Sequence, residues 1–96
     1  LEWLPSHFPI IVNSVLPVDD SQYGLPSNRE IDLFNEQLEL LTLNRSHCHF
    51  CNSNAVMKDP NNRLPAMFHT GDGVHLSNRG YSVLINQIRQ ELSRFY

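Results

Sequence analysis

Residues 8 to 16, "FPIIVNSVL", form an apolar, β-branched run punctuated by Pro9 and Pro17. A run without polar alternation is the signature of a strand buried on both faces of a parallel sheet. Such a strand cannot stand alone, so the rest of the chain must supply neighbours or expose an apolar surface. The segment that follows, "PVDDSQYGLPSN", carries Pro, Gly, Asp and Ser and reads as a loop over 17–27. It would leave the strand's carboxyl end, the edge where open α/β sheets place their ligands.

Ser27 with Glu30 three residues on is a capping-box pattern, and Ile31, Phe34, Leu38 and Leu41 recur at helical spacing. A helix is therefore expected over 28–43. The weak alternation in "SHCHFC" predicts a second strand near 46–51, followed by a long loop over 52–71 that runs on to the last helix. Loops of that length in a compact domain tend to carry function. Ser77 is a candidate N-cap for a final helix whose apolar stripe comprises Tyr81, Leu84, Ile88, Leu92 and Phe95. Asn78 beside it is read as a capping residue too. Strand, helix, strand, helix is an α/β order with parallel strands and right-handed crossovers. Two such strands leave both faces and an edge uncovered, and the sequence opens on Leu1 in what reads as the middle of an element. A piece of a longer chain is expected.

The 96 residues make one domain at most, and a chain of this size buries little over ~60% of its unfolded surface. With 41% hydrophobic and 18% charged residues and a net charge of −3, the composition supports neither a disordered chain nor a basic nucleic-acid surface. The longest apolar run, "FPIIVNSVLPV", is about half of a bilayer span, and no signal-peptide pattern is found, so a soluble chain without a membrane span is expected. The compartment is not fixed by the two cysteines, Cys48 and Cys51.

Chemistry concentrates in "HTGDGVHLSNRGY", residues 69–81. A carboxylate that accepts an imidazole N–H fixes the tautomer of that ring and prepares it as a general base. Asp72 and His75 can form such a pair if the loop folds back, which Gly71 and Gly73 permit. A competing arrangement would gather His69, Asp72 and His75 around a metal, but nothing in an irregular loop sets a shared face. Cys48-x-x-Cys51, with His47 and His49, has zinc-like spacing, yet on a strand 48 and 51 point to opposite sides, and two small semi-buried cysteines are expected instead. Trp3 and Phe8 are expected to anchor the core, and Arg89 and Arg94 to suit the dipole of the last helix's final turns.

The block Asp72, Gly73, His75, Leu76, Gly80 and Tyr81, followed by an amphipathic helix, resembles the last conserved block of the SGNH hydrolases, also called GDSL esterases or lipases. Upstream, "FPIIVNSVLPV" resembles that family's penultimate strand and "REIDLFNEQLELL" the helix after it, so the resemblance covers nearly the whole chain. It implies that residues 1–96 are the C-terminal half of one three-layer α/β/α, flavodoxin-like domain. It also implies ester hydrolysis by a Ser-His-Asp mechanism, with His75 as base and Asp72 as its orienting partner. No cofactor is implied. The partners implied are a small-molecule ester and the missing N-terminal half of the same domain. The family's Gly-Asp-Ser nucleophile motif is not in these residues, nor are its oxyanion Gly and Asn blocks. The alternative is a degenerate, non-catalytic module used for binding or assembly.

Overall fold

A computed structural model describes residues 8–95. Two short parallel strands, β1 (Ile10–Asn13) and β2 (Cys48–Cys51), pair with Ile10 opposite Cys48 and Asn13 opposite Cys51. The helix α1 (Asn28–Leu43) connects them. After β2 come a single helical turn, α2 (Ser53–Val56), a 3-10 turn over Ala66–Phe68, and the terminal helix α3 (Asn78–Leu92). The order is α/β with parallel strands, as the sequence predicts. Among the described residues no helix is long and apolar enough to cross a membrane.

Both long helices start where their caps place them. Ser27 Oγ accepts the Glu30 N–H at 3.2 Å, and Ser77 Oγ accepts the Gly80 N–H at 3.2 Å. The first strand is shorter than the predicted 8–16. Its pairing ends when the Ser14 N–H reaches Cys51 O, because the chain beyond is claimed by α1. Asn35 accepts the Val15 N–H at 2.8 Å and donates to Val15 O at 2.9 Å. Two helical turns earlier, Asn28 does the same to Val18, at 2.9 and 2.6 Å. Each asparagine side chain stands in for a neighbouring strand, so a buried stretch of backbone leaves the sheet with its polar groups satisfied.

That arrangement sets the rotation of α1. Its buried residues are Asn28, Ile31, Asn35 and Thr42, whereas Phe34 is 59% and Leu41 65% exposed. The expected stripe of Ile31, Phe34, Leu38 and Leu41 is thus corrected: the inward face is shifted by about one residue, because the amides must face the loop. Leu33, Leu40 and Leu43 are exposed as well. The buried apolar cluster lies elsewhere, where Met57, Leu64 and Leu76 pack with Leu16, Phe68, Val83 and Leu84 between the long loop and α3.

Several smaller expectations change. Phe8 is 49% exposed and does not anchor the core, while Trp3 lies outside the described residues. Cys48 and Cys51 are buried rather than half-buried, and both are free thiols. Cys48 faces the hollow beside Leu38 and Leu41, whereas the Cys51 thiol meets Ser53 Oγ at 3.5 Å, so the two do not converge on one ion. Arg94 and Phe95 fall just past α3, where Arg94 bonds Glu91 and Phe95 stacks on His49 with ring centres 4.0 Å apart.

Gly80, on the first turn of α3, is buried against the backbone of Phe68, and a Cβ there would run into the Phe68 carbonyl oxygen. Alanine elsewhere in a helix gains about 1 kcal/mol over glycine, but overpacking against fixed backbone costs about 1–3 kcal/mol. Gly80→Ala is therefore expected to lower the denaturation midpoint of the folded protein; an unchanged or raised midpoint would show that α3 does not press on the Phe68 turn. The 96 residues by themselves, with apolar side chains of α1 and α3 in water, are expected to self-associate or to bind ANS as a loosened species. Light scattering with a urea titration checks this, and a monodisperse 11.1 kDa monomer that unfolds in one cooperative step would contradict it.

Candidate functional site

The loops that leave the two strands meet at the carboxyl edge of the sheet. The Leu64 N–H donates to Val18 O at 3.1 Å, and Arg63 Nε donates to Asp20 Oδ1 at 2.9 Å. Asp20 also accepts the Asn28 N–H, which, ahead of the Arg63 guanidinium, holds its carboxyl below the usual carboxylate range. The loop over 17–27 then reaches the segment that precedes α3. The Asp19 N–H donates to Gly73 O at 2.9 Å, and Gln22 Nε2 donates to Gly71 O at 3.3 Å.

That segment is a closed turn. His69 and Leu76 form an antiparallel bridge, and the Thr70 N–H donates to His75 O at 2.9 Å. Within it Asp72 Oδ1 accepts the Val74 and His75 N–H groups, each at 2.8 Å, which is an Asx-type turn. The other oxygen, Oδ2, meets His75 Nδ1 in a short side-chain contact. Gly71 has φ +119° and Gly73 φ +81°, a region that side chains disfavour. A Cβ at Gly73 would also crowd Leu25 Cδ1 at 3.0 Å and Asp19 O at 3.2 Å, so glycine is required there on two counts.

The structure brings Asp72 and His75 together. The Val74 N–H, then the His75 ring and the His75 N–H, hold the Asp72 carboxyl far below its usual range, so it is ionised at neutral pH and accepts the Nδ1 proton of His75. In the neutral ring this leaves the lone pair on Nε2, and the His75 side chain is 77% exposed. An oriented imidazole with a free, outward lone pair can accept a proton from a group brought up to it.

His69 is not brought into this pair. It is buried, its Nδ1 accepts from Gly71 and Gly73 N–H at 3.0 and 3.2 Å, and its Nε2 lies 3.5 Å from Asp19 Oδ2. Nδ1 is thus taken by the two glycine amides and Nε2 lies beside Asp19, which corrects the arrangement of His69, Asp72 and His75 around one metal. Among the described residues no group of three or more His, Cys, Asp or Glu side chains is placed to hold a metal ion. The hollow of about 410 Å³ beside Asp32, Glu36, Phe50 and Lys58 contains neither Asp72 nor His75. The sequence gives no signal for the contacts of Asp19 and Gln22 with the 69–76 turn, because the residues lie about fifty positions apart in featureless loop.

Because the carboxyl of Asp72 is depressed from its ordinary value of 3.8, its bonds to Val74 and His75 are at full strength above that value and disappear only as the pH falls through the lower folded-state value. Amide exchange at Val74 and His75 is therefore expected to stay slow, after correction for intrinsic pH effects, down to and below about pH 4. Asp72→Ala should remove that protection at neutral pH. Loss of protection in the unsubstituted protein already between about pH 5 and 4 would contradict the depressed carboxyl.

No protein-family model and no curated protein matches the chain. Among solved structures it is similar to one described as "a putative platelet activating factor from Streptococcus pneumonia", at 26% sequence identity and a TM-score of 0.78. The likeness covers 88% of this chain and 41% of that one, so the chain spans a little under half of its neighbour's length and shares its α/β arrangement.

Proposed function

We propose that this chain is the C-terminal part of an SGNH-type ester hydrolase, the part that carries the general base and the carboxylate that orients it. The observation that carries the reading is the Asp72–His75 contact at a glycine-built turn, with the ring of His75 open to an incoming group. The surrounding sequence supports it, since Asp72, Gly73, His75, Leu76, Gly80 and Tyr81 match the family's last block. The structural neighbour supports it at the level of the shared α/β fold.

In this mechanism a serine from a segment outside these residues attacks the ester carbonyl. His75 Nε2 takes the hydroxyl proton, then gives it to the departing alcohol. Asp72 stays ionised throughout and stabilises the imidazolium. Water, deprotonated by the same nitrogen, clears the acyl-enzyme. The oxyanion donors also come from outside the chain. The loops over 17–27 and 52–71 would shape the acyl or alcohol pocket. Short acyl esters, acetylated sugars, lysophospholipids and thioesters are the substrate classes to try.

In the complete protein, His75→Ala is expected to lower kcat by about 10⁴-fold or more, and Asp72→Asn by less, about 10²–10⁴-fold, since some imidazole remains in place. A chelator should leave the rate unchanged. Near-normal kcat in both variants would defeat the assignment, and a complete protein that lacks a Gly-Asp-Ser segment would favour a binding or assembly module instead.

A further inference from the structure

The glycine amides on either side of Asp72 do not bond to backbone. Gly71 N–H and Gly73 N–H both point inward to one atom, His69 Nδ1, at 3.0 and 3.2 Å. An atom that accepts two backbone N–H groups cannot itself carry a proton, so the buried ring is neutral with its hydrogen on Nε2. Nε2 makes no hydrogen bond and lies 3.5 Å from Asp19 Oδ2. A bond from the side chain of Ser21 is foremost in keeping the Asp19 carboxyl below its usual range, so a negative charge faces the N–H dipole of the ring. Gly73 is held from two directions, by His69 through its N–H and by the Asp19 N–H through its carbonyl.

We propose that His69 is a positioning residue for the Asp72–His75 pair, and that it acts as a buried, neutral acceptor that fixes the peptides flanking Asp72. This rests on the hydrolase reading above. With both amides drawn inward, the Asp72 side chain is turned outward to His75. Without the acceptor, the two N–H groups would seek water or other partners, and the peptides on both sides of Asp72 would be free to rotate. A buried donor left without a bond costs stability, so the ring is not placed there by its Nε2 side. The two bonds on the opposite nitrogen place it.

Asparagine and glutamine separate this role from simple space filling. Asn Oδ1 stands at the same distance along the side chain as His Nδ1 and can accept two N–H groups, whereas the amide of Gln lies one bond further out, at the position of Nε2. On the complete protein, His69→Gln is expected to lower kcat by about 100-fold with KM within about threefold, the scale of a misplaced catalytic group. His69→Asn should recover activity to within about tenfold of the unsubstituted protein. The downfield proton resonance of the Asp72–His75 contact should broaden or vanish in His69→Gln and persist in His69→Asn. Equal or higher kcat in His69→Gln than in His69→Asn, or an unchanged resonance in His69→Gln, overturns the proposal. If His69→Gln does not fold, a folded His69→Asn that has lost the resonance overturns it equally. His75→Ala measured alongside distinguishes the two readings: full turnover in His75→Ala sinks the hydrolase assignment, while the resonance still decides the role of His69.

Discussion

The fold depends on two buried asparagines that do the work of a missing strand. After four residues of pairing, β1 runs out of neighbour, and the chain beyond it, buried again at Pro17 and Val18, must still have its peptide groups bonded. Asn35 and Asn28, seven residues apart and so on one face of α1, each bond both the N–H and the C=O of one residue in that stretch. A buried amide bonded on both sides contributes about 1 kcal/mol per bond, but an unbonded one costs about 1–3 kcal/mol, so the asymmetry makes these side chains hard to replace. Because the partners are on a helix and a strand end, the bonds also fix how α1 lies against the sheet.

From there the consequences run to the Asp72–His75 turn. With Val18 held by Asn28, its carbonyl takes the Leu64 N–H, and the next residue, Asp19, is delivered to Gly73 and to the buried ring of His69. The Asp72–His75 pair is therefore held by backbone bonds that lead back to the end of β1, and not by a packed pocket. On the other side, Leu76 enters the apolar cluster with Met57 and Leu64, and Gly80 lets α3 close onto the Phe68 carbonyl. The turn is suspended between a polar anchor and an apolar one.

How much of this the sequence discloses differs by kind of interaction. Local signals read well: α1 is expected over 28–43 and spans Asn28–Leu43, and both caps, Ser27 and Ser77, act as expected. The Asp72–His75 contact is legible too, because three residues and two glycines suffice to form it. The first strand is shorter than its apolar run, because such a run does not reveal that β2 offers only four partners. The rotation of α1 is hidden from periodicity because Asn28 and Asn35 count as polar, although their bonds take them inside. His69 shows the limit most clearly. Its residue type suits a metal ligand or a base, and only the positions of two amides and of Asp19, about fifty residues away, reveal a neutral acceptor.

The exposure of the pair sets a further condition on the proposed chemistry. An ionised carboxylate and an imidazole in water are screened by solvent, and the same contact gains strength only where water is excluded. His75 is largely exposed, and Val74 beside it leaves apolar surface in water, as do Phe34 and Leu41 on α1. A segment that brings a serine to within bonding reach of His75 Nε2 must lie over the turn, and by lying there it removes that water. Under the proposed mechanism, supplying the nucleophile and raising the strength of the base would then be one structural event.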